Sequence, residues 1–453
     1  MEFYKGVEEI VKRFNETDKY LIKIVSHLDC DGITAASIMI KTFQRMKLRF
    51  SCMIVRQLTS EIIRELNLDS SDTIIFCDLG SSSLNDLKLL KKNVFILDHH
   101  LINGNYEGLN FINPQMYGLN YEEVSGAGLA YLFSKGIDKN NIDLAYLAII
   151  GAVGDLQENR GFKGINEEIL KDALNKIEIK KGLRMFGMQT KPLHKILEYS
   201  TDPYIPGVTG NEQGAVMFLK ECGIELKNEN NLRRLIDLND DELKRLVTGV
   251  ILKRMGSETN PEDIFGDIYI LKNEEEGLPT RDAKEFSTLI NACGRVHKPS
   301  IGLGLCLGNK RLKDIAFDLL KDYKLEIIDS LNWFHSNKTS EDIIEGENFL
   351  IINAKENVKD SVIGTLAGMV AKSNLYKDNT IIVAMASTTD DNIKISARVC
   401  GKADDNINLR DILVKITDGL KVEVGGHKLA AGCLIEGENE KVFIENTLNI
   451  LKN

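Results

Sequence analysis

Long apolar runs are missing from this sequence. The longest candidate, Leu144 to Val153, is interrupted by Gly151 and followed by Asp155, well short of the roughly 20 apolar residues that span a bilayer. The amino-terminal stretch MEFYKGVEEIVKRF has the pattern of a charged amphipathic helix and not of a leader. No membrane contact is expected, and the expected address is cytoplasmic. Cysteines are few and scattered, at 30, 52, 77, 222, 293, 306, 400 and 433, with no C-x-x-C pair; this excludes a zinc ribbon and a disulfide framework. Positive charge is not in excess. A net charge of −10 argues against non-specific nucleic-acid binding by the whole surface, while leaving a local basic groove open. Aromatic residues make up only 7% and there is one Trp, so ring stacking is not the expected means of holding a ligand.

What is present is a soluble, globular composition, 43% hydrophobic and 27% charged over 453 residues, long enough for two or three domains. Within the first 160 residues, short apolar runs alternate with helical patterns. LIKIVSH (21–27), FSCMIV (50–55), TIIFCDLG (73–80) and NVFILDHH (93–100) read as strands. ITAASIMIKTFQRM (33–46), SEIIRELN (60–67, with Ser60 as its cap) and LAYLAIIGAVGDL (144–156) read as helices. Such alternation predicts an α/β fold with a doubly wound parallel sheet, whose strands are continuously apolar because both faces are covered. Residues 160–275 read as a charged, mostly helical connector with one irregular island, YSTDPYIPGVTG (199–210). From 276 the pattern becomes α+β. Its expected strands are 300–308, 348–354, 380–387 and 393–399, its helices include AKEFSTLINACG and IGTLAGMVAKS, and a Gly-rich turn, VGGHKLAAG (424–432), follows. The expected domains are therefore 1–190, 191–275 and 276–453.

Three of the first strands end in the same chemistry: His27-Leu28-Asp29-Cys30-Asp31-Gly32, Cys77-Asp78-Leu79-Gly80 and Asp98-His99-His100. The apolar helix then ends at Gly154-Asp155. In an open parallel sheet, ligands bind outside the carboxyl ends of the strands, so these clusters are expected to meet at one edge. Carboxylates and imidazoles crowded into one cleft repel or desolvate one another unless a cation joins them. Hard carboxylates mixed with imidazole suit Mn²⁺ or Mg²⁺ better than Zn²⁺. Two ions about 3.5–4 Å apart are the usual arrangement for phosphoester chemistry.

HLDCDG, FCDLG, VFILDHH and GAVGD together resemble the DHH phosphoesterase family, over roughly residues 21–160, and GGHKLAAG resembles the glycine-histidine loop of the DHH-associated substrate domain. The resemblance implies a first ion held by Asp29 and Asp78 with His27, and a second held by Asp31, Asp78, His99 and Asp155, with Asp78 as the bridge. It implies that His100 contacts the scissile phosphate or the leaving oxygen and that Asp98 orients His99 or His100. One departure stands out: His27 lies two residues before Asp29, whereas family pyrophosphatases and bacterial RecJ place that histidine four before. On the substrate side the resemblance assigns phosphate contacts to Gly425, Gly426, His427 and Lys428, and to Ser396 and Arg398 in KISARV.

The stretch 281–311 is locally basic, and Asn291 and Arg295 lie one helical turn apart on one face, suited to tracking a nucleic-acid backbone. RDAKEFSTLINACGR and YSTDPYIPGVTG are similar to archaeal RecJ-like proteins. That likeness implies a metal-dependent, single-strand-specific exonuclease acting on DNA, or also RNA, in replication or repair. It also implies single-stranded nucleic acid and a GINS complex as partners, and two divalent ions as cofactors, Mn²⁺ before Mg²⁺. An oligoribonucleotide or cyclic-dinucleotide phosphodiesterase and a non-catalytic replication scaffold are the alternatives.

Overall fold

The computed structural model describes residues 2–159, 161–200, 204–229, 231–255, 261–373, 375–401, 403–404, 406–420, 422 and 424–452. It divides into two compact units, Met1–Gly294 with Lys298–Phe317, and Arg295–His297 with Asp318–Asn453.

In the first unit, α1 (Glu2–Glu16) turns Phe3, Val7, Ile10, Val11 and Phe14 inward at helical spacing. There follow β1 (Ile22–His27), α2 (Cys30–Arg45), β2 (Phe50–Val55), α3 (Ser60–Leu68), β3 (Thr73–Cys77), α4 (Leu84–Leu87), β4 (Asn93–Leu97), β5 (Asn110–Ile112), α5 (Gly126–Ile137) and α6 (Ala145–Gly154). The five strands form a wholly parallel sheet in the order β2-β1-β3-β4-β5. Every residue of β3 is buried, as is all of β4 except Asn93. Period-2 alternation splits their side chains between two cores. On one face Phe95 meets Phe14, which also packs against Phe43 of α2 and Phe133 of α5. On the other, Ile74, Phe76, Val94 and Ile96 pack against Ile63 and Leu66 of α3 and Leu84 and Leu87 of α4. The doubly wound parallel sheet expected from the sequence is thus present. The chain leaves β1 for β2 on one side and returns to β3 on the other, so the sheet's switch point lies between the ends of β1 and β3.

One local expectation is corrected here. Ser60 is the first residue of α3 and not its cap; Thr59 takes that role, its hydroxyl accepting from the Ile62 amide at 3.3 Å.

The rest of this unit contains α7 (Gly164–Ala173), β6 (Ile177–Leu183), α8 (Leu193–Glu198), α9 (Glu212–Glu221), the two-residue strands β7 (Lys227–Asn228) and β8 (Asn231–Leu232), α10 (Asp240–Arg254), β9 (Phe265–Leu271), α11 (Ala283–Arg295) and α12 (Pro299–Cys306). Helices α8, α9 and α10 surround their own core, with Leu197, Phe218, Leu219, Leu246 and Val250 buried. The segment is not helical throughout, however. β6 and β9 pair antiparallel from Ile177↔Leu271 to Leu183↔Phe265, closing the helical insert at its base. Residues 300–308 were expected to be a strand, and most of them are helix α12. A short apolar run fits either state, and Pro299 at the first helical turn, where its fixed φ is favourable, decides for the helix.

The second unit holds most of α13 (Lys313–Ser336), then β10 (Ile343–Glu345), β11 (Phe349–Asn353), α14 (Asp360–Lys372), β12 (Ile381–Ser387), β13 (Asn392–Val399), α15 (Leu409–Ile416), β14 (Gly425–His427), β15 (Ala430–Glu436) and α16 (Glu440–Leu451). Its sheet runs β10-β11-β12-β13-β15-β14, antiparallel except for β11–β12. Ile393, Ile395 and Ala397 of β13 join a core with Leu409, Leu413 and Ile416 of α15 and Phe443 of α16. The alternate residues Ser396 and Arg398 therefore point to the opposite face, where α14 packs. The Gly-rich segment 424–432 is a hairpin, with Gly425 opposite Gly432 and Gly426 opposite Ala431.

Candidate functional site

The sheet's switch point gathers the acidic and imidazole clusters of the first unit. Asp29 caps α2, accepting from the Gly32 amide at 3.0 Å, which fixes the loop that follows β1. Asp31, fully buried, accepts from the amides of Gly126 at 2.6 Å and Ala127 at 3.0 Å, at the start of α5; a helix amino terminus favours such a carboxylate. Asp78 follows β3 with φ +59, a left-handed conformation that a non-glycine residue adopts at some strain. Asp155 sits at the carboxyl end of α6.

The distances define a centre around Asp78. His27 Nδ1 lies 2.8 Å from Asp29 Oδ2 and 3.6 Å from Asp78 Oδ2. His99 Nε2 lies 3.2 Å from Asp155 Oδ2, 3.4 Å from Asp78 Oδ1 and 3.8 Å from Asp31 Oδ2. Two sets, His27-Asp29-Asp78 and Asp31-His99-Asp155, each bring one ligand atom per residue within 4.8 Å of the others, and Asp78-His99-His100 forms a third. His27 Nδ1, both Asp78 oxygens and His99 Nε2 are buried without a hydrogen bond. Buried polar atoms are rarely left so. With Asp78 facing His27 through one oxygen and His99 through the other, these atoms fit divalent cations, which they would ligate.

The charge state of the metal-free cluster follows from its crowding. Burial raises Asp31 well above the ordinary carboxylate value, and the neighbouring Asp78 and Asp155 add to the rise. Burial likewise raises Asp155, although His99 opposes it. Burial alone would lower His27 and His99, but the facing carboxylates overcome it and raise both. Asp78 goes the other way: despite burial, the imidazoles of His27 and His99 hold it far below the usual range.

Asp98 belongs to His100. His100 Nδ1 is 2.7 Å from Asp98 Oδ1, whose other oxygen accepts from the Ser81 amide at 2.7 Å. Burial pushes Asp98 up, but His100 more than reverses it and holds its carboxyl at about 2. His99 is flanked instead by Gln157, whose amide donates to the Tyr121 carbonyl at 2.7 Å and whose Oε1 accepts from Asn166 at 2.7 Å. Sequence reading missed Gln157 and Asn166, since a single amide carries no spacing signal. It also missed two close-packed glycines. A Cβ on Gly126 would lie 2.6 Å from Asp78 Cβ, and one on Gly151 would lie 2.5 Å from Asp31 Oδ1.

Asn291 turns toward this centre. Its Oδ1 accepts from the Cys30 amide at 2.8 Å, between Asp29 and Asp31. In the second unit, Arg295 bonds to Tyr323 and Thr365. Ser396 is buried, and the Arg398 guanidinium donates to the Ala397 carbonyl at 2.7 Å. Burial and the nearby Arg295 both lower the pKa of Arg398. Gly425 and Gly426 lie on β14 and Lys428 in the exposed turn after it, while the side chain of His427 lies outside the described residues. No described helix is long and apolar enough to cross a membrane.

The sequence matches the DHH family N-terminal domain over residues 21–151, the DHH-CID domain over 185–265 and the DHHA1 domain over 346–453. An uncharacterized protein of Methanocaldococcus jannaschii is 27% identical over 467 residues, covering 100% of this chain and 98% of that protein. The single-stranded-DNA-specific exonuclease RecJ of Bacillus subtilis is 25% identical over 202 residues, 40% of this chain and 26% of RecJ. Among solved structures, RecJ of Thermus thermophilus in complex with Mn²⁺ matches with TM-score 0.59 and 16% identity, over 99% of this chain but only 55% of that one. CDC45 of Entamoeba histolytica matches with TM-score 0.65 and 13% identity, over 100% and 98%. At such identities the structural likeness speaks for the fold. Together with the domain matches and the acidic and histidine set, it makes this chain a member of the DHH family with a RecJ-like fold.

Proposed function

We propose that the chain is a metal-dependent exonuclease that hydrolyses terminal phosphodiester bonds of single-stranded DNA, and of RNA as well, in replication or repair. The observation that carries this reading is the set of buried, unbonded ligand atoms on His27, Asp78 and His99. One ion would be held by His27, Asp29 and Asp78, and a second by Asp31, His99 and Asp155, with Asp78 shared. Two such ions lower the pKa of water and polarise a phosphoryl oxygen. His100 would contact the scissile phosphate, fixed in orientation by Asp98. Asn291 would hold the loop carrying Asp29 and Asp31. Ser396, Arg398, Arg295 and the 425–428 hairpin would take the substrate's phosphates, with sugar–phosphate contacts outweighing stacking in a chain so poor in aromatics. The division of labour follows residues 1–190, 191–275 and 276–453, the metals being Mn²⁺ or Mg²⁺ and the macromolecular partner a GINS complex.

A second reading, a replication scaffold without catalysis, draws support from the likeness to CDC45; the complete ligand set opposes it. A phosphodiesterase for short oligoribonucleotides or cyclic dinucleotides would use the same centre, but would have less need of the helical insert. The test is end-labelled single-stranded DNA and RNA with Mn²⁺, Mg²⁺ or chelator, beside Asp78→Ala. Stepwise, metal-dependent release of mononucleotides, absent in the variant, is expected. Cleavage of dinucleotides alone would favour the phosphodiesterase, and no cleavage at all the scaffold.

A further inference from the structure

Arg295 is held by two hydroxyls from two other helices. Its Nη1 donates to Tyr323 Oη on α13 at 2.8 Å and to Thr365 Oγ1 on α14 at 2.6 Å, and the two hydroxyls lie 2.8 Å apart. Tyr323 is only 5% exposed, and a buried tyrosine hydroxyl normally finds a partner. A guanidinium offers five N–H donors in a planar fork. This clamp uses those of Nη1 alone, and no described protein group bonds Nε or Nη2 of Arg295.

A second cation stands near the clamp. Arg398 stands on the face of β13 that α14 covers, and it feels the charge of Arg295. Neither arginine forms an ion pair with a carboxylate among the described residues. On α14, next to Thr365, a Cβ on Gly364 would come within 3.1 Å of Ser396 Oγ and 3.5 Å of Arg398 Nη2, so the helix approaches the serine and arginine closely. Two like-charged guanidinium groups near one another, one of them largely desolvated, are costly without an anion to share.

We propose that Tyr323 and Thr365 are positioning residues that lock the Arg295 fork so that its remaining donors and Arg398 receive one phosphate group of the substrate. This rests on the reading above that these arginines take phosphate. A freely rotating arginine loses side-chain freedom on every binding event; the clamp removes that cost in advance and leaves the donor edge open.

The full-length protein with Tyr323→Phe and Thr365→Val combined tests it, in single-strand hydrolysis with Mn²⁺ and in calorimetric titration with inorganic phosphate. The expected result is a KM higher by about 10-fold with kcat changing much less, and phosphate affinity weakened by a similar factor. Thr365→Ser, which keeps the hydroxyl, should stay near wild type in both. A double variant with wild-type KM and wild-type phosphate affinity overturns the proposal. So does equal damage by Thr365→Ser, or a lowered melting temperature with KM unmoved, since either would make the clamp a packing feature. Arg295→Ala separates the two levels. If it weakens phosphate binding while the double variant does not, the clamp fails and the phosphate reading stands; if it leaves phosphate binding unchanged, the phosphate reading itself fails.

Discussion

In the unit that carries Asp78, carboxylates are buried against imidazoles, and no described lysine or arginine pairs with Asp29, Asp31, Asp78, Asp98 or Asp155. In the unit that carries Arg398, the guanidinium group is desolvated with no carboxylate beside it among the described residues. Elsewhere many charges of the chain are paired in the ordinary way, as Arg45 is with Asp143 at 2.7 Å and Arg233 with Glu242 at 2.6 Å. An uncompensated buried charge is costly, so the two exceptions are places where, on the proposed function, the missing partner comes from outside. The signs differ, and with them the proposed ligand: cations for the first, a phosphate for the second.

The comparison breaks most visibly at Asp78. Asp78→Ala should lower kcat by about 10³-fold or more while leaving the affinity for a single-stranded oligonucleotide within about 3-fold. Arg398→Ala should do the reverse, chiefly raising KM. If both variants lose turnover and affinity together, the two exceptions are not separate functions. Steady-state kinetics alongside fluorescence anisotropy distinguishes the cases.

A smaller effect is expected at Asp98. Asp98→Asn should cost about 10- to 100-fold in kcat by letting the His100 ring turn, and metal affinity, read by manganese titration, should barely move. A large loss of metal affinity would show that Asp98 serves the ions and not His100.

Proton linkage sharpens the contrast further. In metal-free protein, Asp31, Asp155, His27, His99 and His100 all bind protons more tightly folded than unfolded. A raised group contributes stability that is complete below its unfolded pKa and lost as pH rises through its folded value. For the imidazoles that loss begins above pH 6.5, and for the two carboxyls above 3.8. The lowered Asp78 and Asp98 give way only below pH 3.8. In chelator the stability, and with it the melting temperature, should therefore fall as pH rises above neutrality, with a slope set by the extra protons the folded state holds. Mn²⁺ should cancel or invert that slope, because its ligands bind deprotonated. A profile in chelator that is flat from neutral to alkaline pH would count against a strained metal-free cluster.

The smallest effect belongs to Asn291. Asn291→Ala leaves the Cys30 amide without its acceptor and should cost about 1 kcal/mol of stability, with a modest drop in metal affinity. An unchanged manganese titration would remove Asn291 from the metal loop's support.

Local pattern carried much of this. The parallel strands were legible because each is a short, largely apolar run ended by polar residues; Asp29 and Asp78 stood out because they follow such runs, and Asp155 because it ends an apolar helix. Sequence reading failed where the deciding partner is distant or the local signal is degenerate. β6 needs β9 to be a strand, and IEIKKGL is too polar to declare itself alone. The apolar run after Pro299 fits either helix or strand until the proline is weighed. The Arg295 clamp joins positions 28 and 70 residues away, and no spacing rule reaches them.

The Cys30–Asn291 hydrogen bond joins residues 261 apart, and that separation has a consequence for synthesis. The parallel sheet is complete once Ile112 has emerged, yet the acceptor for the Cys30 amide is still to be made. At about 5–20 residues per second, the stretch from Ile112 to Asn291 takes roughly 10–35 s. During that interval a nascent chain has its parallel sheet but an unbraced Asp29–Asp31 loop. Metal capture should therefore mature late on the ribosome, after α11 has docked, and stalled chains ending before residue 291 should bind Mn²⁺ more weakly than released protein.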